Sequence, residues 1–313
     1  MVMNRILIVY YSQSGEAARV AETLAGTFEA AGMTMTLEAV HPVSPYPYPW
    51  KSPRLFFDAM PECILGPPPP VRPVGVDPTQ LFDLVVIVYP VWFLSPAPPI
   101  QGFFETPAAT VLRDVDVMTI SVSRAMWHSA SERMKHLLMK AGARHRYSTA
   151  VTHQGSPLLT LISTPRALLS GKRNRLMGVF PPVGIAETEL ERLRGLGAEV
   201  AAQLKAGRPV GASATNAMPA PAIRRWLVVP ELLAWYCFRA WARFIVWLGA
   251  IDRRLRAIGV YGFAIFLVGL ILIGLPVVVL GTWVLYPLIR HRLVGYINRV
   301  AATAALPDAH QSP

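Results

Sequence analysis

The chain has 313 residues, enough for about two structural units at roughly 150 residues each. Hydrophobic residues make up 53% and mean hydropathy is +0.37, too apolar for an ordinary soluble protein, and most of the excess lies after residue 220. The formal charge of +11 divides as +4 over residues 1–210 and +7 over 211–313, where arginines alternate with Trp and Phe; this suits anionic lipid headgroups, and no zinc-finger, helix-turn-helix or aromatic RNA-binding pattern points to nucleic acid.

Cys63 and Cys237 lie far apart and neither belongs to a CxxC, so a disulfide framework is not expected and a reducing cytoplasm is the simplest setting. No metal-ligand set stands out. The first apolar run ends in a Ser/Gly turn instead of a small-residue cleavage site, which makes it a buried strand and not a signal peptide.

In chain order, Arg5–Tyr11 is a continuous β-branched and aromatic run, as in a strand buried on both faces. The turn Ser12-Gln13-Ser14-Gly15 follows, then a helix over Glu16–Ala31 with Val20, Leu24 and Phe28 on one face. Met33–Val40 alternates as a second strand, completing a βαβ unit. Residues 41–80 hold twelve prolines interleaved with Tyr46, Tyr48, Trp50, Phe56 and Phe57. Proline excludes a long helix and the aromatics argue against disorder, so we expect an ordered insertion with one short helix near Ser52–Met60. It serves either as a lid or substrate wall, or as a plain surface cover.

Leu84–Tyr89 and Val115–Val122 are the third and fourth buried strands, with a short helix around Ile100–Glu105 between them. A helix over Ser131–Ala143, a fifth strand at Arg146–Thr152 and a helix over Glu187–Leu204 complete the pattern. Five strands alternating with helices predict a doubly wound parallel sheet, which binds ligands beyond the carboxyl ends of its strands.

The loop after the first strand resembles the flavin-phosphate loop of flavodoxins. Ser12, Ser14 and Gly15 match its pattern of hydroxyls and glycine ahead of a helix, where backbone N–H groups meet a phosphate. Ala17 departs from that pattern by replacing the usual hydroxyl residue. Pro90-Val91-Trp92-Phe93 resembles the second flavin-contacting loop of flavodoxin-type quinone reductases, with Trp92 or Phe93 as the flat partner of the ring. After the fourth strand, Ser123 and Trp127 take the third contact position, and Arg124 can face a substrate anion. The resemblance implies FMN as cofactor, bound by Ser12, Gln13, Ser14, Gly15, Glu16, Ala17, Pro90, Val91, Trp92, Phe93, Ser123 and Trp127. His128 and His153 are weaker candidates for a proton donor or anion contact, and the basic cluster Lys172, Arg173 and Arg175 for a lipid or acyl-carrier contact.

Most of residues 5–205 also resembles the proteins labelled dialkylresorcinol condensing enzymes. The stretches YYSQSG, SPYPYPW, VWFLSPAPPI, STPRALLSGK and FPP carry this likeness, with Met126-Trp127 and the turn Thr152-His153-Gln154-Gly155. That resemblance implies a place in dialkylresorcinol or aryl-polyene lipid synthesis, with a ketosynthase or acyl carrier as partner. Condensation itself needs a nucleophilic cysteine with histidine partners, and Cys63 has no histidine beside it in sequence.

Residues 207–221 read as a linker, and 222–256 as an interfacial amphipathic helix with indoles at headgroup depth. Residues 257–289 carry no charge; as one helix they would measure about 50 Å against a hydrocarbon core of about 30 Å. Basic residues flank this segment on both sides, including the tail 290–313. A re-entrant hairpin kinked at Pro276 and a single tilted span both fit. The expectation is therefore a flavodoxin-like domain over residues 1–206, held on the lipid bilayer at the cytoplasmic face of the inner membrane. Its function is then FMN-dependent redox chemistry or, alternatively, a non-catalytic scaffold for a lipid-synthesis enzyme.

Overall fold

A computed structural model describes residues 4–155, 166–172, 184–210 and 223–301. Strand β1 spans Arg5–Tyr10, and its uninterrupted apolar run buries both faces at once. Ile6 and Ile8 enter one core and Leu7 and Val9 the other, all fully buried. Strand β3, Leu84–Trp92, divides likewise: Leu84, Val86 and Val88 on one side, Val85, Ile87 and Tyr89 on the other. Each such side chain contributes roughly 1.5–3 kcal/mol of burial, so the two strands alone specify a sheet covered on both faces.

Helix α1, Glu16–Ala30, covers the first face with Val20, Leu24 and Phe28. Strand β2, Thr34–Ala39, pairs parallel with β1. The proline-rich insertion forms two short helices, α2 at Pro53–Asp58 and α3 at Met60–Leu65. One helix had been expected there. The Ser52 hydroxyl caps α2 by accepting from Leu55 N–H at 3.3 Å, and Pro61 in the first turn of α3 starts a new helix.

Beyond β3 come the two-residue β4 at Ser95–Pro96, α4 at Pro98–Phe103 and a 3-10 helix at Pro107–Leu112. Then follow β5 at Asp116–Ser123, α5 at His128–Lys140 and β6 at Arg144–Thr152. Helix α6, Glu187–Lys205, joins α1 on the first face, while α4 and α5 cover the second. The parallel order is β2-β1-β3-β5-β6, with β4 hairpinned antiparallel on β3. This is a flavodoxin-like doubly wound sheet, whose topological switch point lies between β1 and β3.

Three further helical segments follow: α7 at Arg225–Ile251, α8 at Arg253–Gly269 and α9 at Leu275–Ala301. A single π turn, Leu270–Gly274, joins α8 to α9 just before Pro276, where the missing proline N–H breaks the regular ladder. From Arg253 to Asn298 the helix is long and apolar enough to span or anchor a membrane. It is no detached tail. Met60, Ile64 and Leu94 of the flavodoxin-like domain share one apolar cluster with Phe238, Ala242 and Ile245 of α7 and Val260 and Phe263 of α8.

Candidate functional site

The site starts where β1 ends. Gly15 caps α1 with φ +89°, a left-handed conformation that favours glycine, and a methyl group there would meet open space. The Ser12 hydroxyl is buried without a hydrogen-bond partner. Gln13 Nε2 donates to the Pro47 carbonyl at 2.8 Å and so ties the loop to the insertion. Glu16, 8% exposed, holds its carboxylate in the first turn of α1, where Oε2 accepts from Ile185 N–H at 2.9 Å. A carboxylate in this position suits the positive end of the helix, the same end a phosphate would use.

The second loop is a tight hairpin between β3 and β4. Trp92 pairs with Ser95, leaving Phe93 and Leu94 as a two-residue connection with φ +46° and +62°. Such turns normally take Asn or Gly, so two bulky residues there hold a strained backbone that the surrounding packing must maintain. Trp92 meets Tyr11, Tyr46 and Trp50 edge-on, with ring centroids 5.9, 5.1 and 5.9 Å away. Phe93 packs on Phe56 at 4.9 Å.

The third loop follows β5. The Ser123 hydroxyl is buried and unpartnered, like that of Ser12. Burial pushes the Arg124 guanidinium down to about 10.

These three loops converge on one cavity of about 420 Å³ at the carboxyl edge of the sheet. Ser12, Gln13, Ser14, Glu16 and Ala17 line it from the first loop, Pro90, Val91, Trp92 and Phe93 from the second, and Ser123, Arg124 and Met126 from the third. The insertion adds Pro53, Phe56 and Phe57, so it forms a wall of the cavity as well as a cover. His153 also lines the space. The outer wall is supplied by the C-terminal helices: Trp226, Leu227 and Pro230 of α7, and Leu270, Gly274, Leu275 and Val278 around the π turn. A few polar groups at one end of a mostly apolar chamber are what an amphiphilic or flat-ring ligand needs.

Two of the expected contact residues stand apart from the cavity wall. Gly15 acts through the backbone of the α1 cap. Trp127 turns away and packs on Ala150 and Val300, because α9 returns to the domain and covers it. His128 is likewise remote from the chamber: its Nδ1 lies 3.2 Å from Glu231 Oε2 of α7, in an approach too poorly aligned for a hydrogen bond. Of the basic cluster, Lys172 is exposed, while Arg173 and Arg175 fall outside the described residues. The outer wall was invisible to sequence reasoning. An apolar helix looks the same whether it faces lipid or a cavity.

The residues fit a flavin in part. Two orphaned buried hydroxyls, an open left-handed glycine and aromatic walls suit its ring and polar edges; Glu16 and Ala17 make the phosphate end less welcoming. Cys63 does not line the chamber, and full burial pushes its thiol well above the usual range, the opposite of an activated nucleophile. Among the described residues no three His, Cys, Asp or Glu side chains stand close enough to share a metal ion.

No family model and no curated protein matches the chain. Among solved structures it is similar to a flavodoxin from the domain Archaea, at 9% identity over 64% of this chain and 99% of that one, with a TM-score of 0.38. It is also similar to a WrbA-like flavodoxin from Agrobacterium tumefaciens, at 17% identity over 65% and 98% of the two chains and a TM-score of 0.34. An NAD(P)H:quinone oxidoreductase from Methanothermobacter marburgensis stands at 12%, 65%, 98% and 0.34. The strand order described above carries the fold.

Proposed function

We propose that this chain is a membrane-attached, FMN-binding redox protein acting on a lipid-like or quinone-like substrate. The observation that carries the reading is the convergence of all three strand-end loops on a chamber whose outer wall is made of C-terminal helices. The flavin would supply hydride or electron transfer, and the protein position and shielding. Ser12, Ser14 and the N–H groups at the start of α1 would hold the phosphate. Trp92 and Phe93 would flank the ring, and Ser123 would hydrogen-bond its polar edge. Arg124 lines the chamber and would face an anionic or carbonyl group on the substrate. We assign this chemistry to dialkylresorcinol or aryl-polyene lipid synthesis on the sequence resemblance alone. A ketosynthase or acyl carrier would be the partner, at the cytoplasmic face of the inner membrane.

A second reading rests on Glu16. Its carboxylate already occupies the anion-favouring end of α1, and Ala17 removes a donor, as expected of a scaffold that kept the fold and lost the cofactor. The visible spectrum of the detergent-purified protein decides between them. The redox reading expects a flavin band, present as isolated or after incubation with FMN, and weakened in Ser12→Val. No band under either condition leaves the scaffold.

A further inference from the structure

We infer that the C-terminal helices form a monotopic platform, lying in one leaflet of an anionic bilayer with both ends on the same side, and do not span it. The flavodoxin-like domain touches the apolar helix at its start, middle and end. Near the start, Arg256 Nε donates to Asp58 Oδ1 of α2 at 2.8 Å. In the middle, Phe263 packs on Phe57 at 5.9 Å and on Phe93 at 6.3 Å, and Leu270 through Val278 wall the chamber at the sheet edge. At the end, Val300 packs on Trp127 and Ala150.

A span needs about 20 residues clear of the soluble body to cross roughly 30 Å of hydrocarbon. Between the last chamber contact at Val278 and the first charge at Arg290, only residues 279–289 are free, about 16 Å of helix. The preceding hairpin cannot cross either. Its turn at Asp252 adjoins the Arg256–Asp58 pair, and its first helix is pinned by Glu231 Oε1, which accepts from Ser129 N–H at 2.7 Å.

What remains outward is one greasy surface. Ile265, Leu272, Trp283 and Leu288 are 69–79% exposed. Arg253, Arg254, Arg290 and Arg292 are exposed at the two ends of the apolar run. An apolar face edged with cations and carrying indole matches a leaflet entered to roughly 5–10 Å beneath phosphatidylglycerol-type headgroups. The inference stands apart from the redox reading, since a flavin-free scaffold would sit on the membrane in the same way.

The test uses the full chain with Cys237→Ala, adding Arg254→Cys or His291→Cys at the two flanks. The second pair is Arg253→Cys and Arg292→Cys, in case a first variant misfolds. A membrane-impermeant maleimide is applied to right-side-out and inside-out membrane vesicles. Both flanks should label in one orientation and both be protected in the other; labelling from opposite sides overturns the proposal. Depth separates the platform from a re-entrant hairpin. A fluorophore on Leu272→Cys in phosphatidylcholine–phosphatidylglycerol vesicles should be quenched most by bromines near the headgroups. Strongest quenching by bromines at the chain ends, or failure to bind these vesicles, overturns it.

Discussion

His145 sits on β6 with Nε2 3.1 Å from the Thr119 hydroxyl, and burial lowers its imidazole to about 4. The unfolded chain would titrate near 6.5, so between those values the unfolded state binds the extra proton. Stability is therefore whole above about pH 6.5, falls as pH drops toward 4, and levels off below it, losing up to about 3 kcal/mol. Urea unfolding at pH 7 and pH 5 checks the sign: the wild type should lose stability on acidification, and His145→Gln should lose much less. At this scale the chamber-lining positions that can be read from the sequence are those that follow a strand end. Ser12, Trp92 and Ser123 are positioned by the carboxyl ends of β1, β3 and β5, and a buried strand is legible from its unbroken apolar run. Trp127 was not legible, because its partners Ala150 and Val300 are remote in sequence and one comes from the last helix.

Between elements, the hub of the second face is Gln101 on α4, 2% exposed. Its amide nitrogen donates to the carbonyls of Pro96 at 2.7 Å and Cys63 at 3.0 Å. Its oxygen accepts from Arg133 of α5 at 2.8 and 3.1 Å, and Arg133 also reaches the Ile64 carbonyl. One side chain thus joins the insertion, β4 and α5, the elements that hold the Trp92 hairpin in place. Gln101→Leu removes the acceptor of a guanidinium that burial already disfavours, and should cost about 2–3 kcal/mol in urea unfolding. Adding Arg133→Leu should recover part of that loss, since replacing both partners of a buried polar pair is far less costly than replacing one. Nothing in the local pattern predicts such a hub: the short helix expected around Ile100–Glu105 includes Gln101, but its partners at Cys63 and Arg133 are remote in sequence. The Phe93–Leu94 turn is hidden for a related reason, since bulky apolar residues carry no turn signature and the positive φ is imposed by what packs around them.

The whole molecule asks whether the C-terminal helices are an attachment or part of the folded body. Among the described residues, neither of the two sheet-face cores draws a member from beyond Val210, so a chain ending there keeps both of those cores whole. It loses the outer wall of the chamber and the cover over Met60, Ile64 and Leu94, which pack under Phe238, Ala242 and Phe263 in the full chain. An exposed apolar patch of several hundred Å² drives association in water. The truncated domain should therefore keep its far-UV circular dichroism and unfold cooperatively. On size exclusion it should run as soluble aggregates, becoming monodisperse when a mild detergent takes the place of the missing helices. A mere tether would leave no such scar, and the truncated domain would be monodisperse in buffer alone. Light scattering with and without detergent tells the two apart, and full solubility without detergent would show that the chamber is closed by something other than the packed helices.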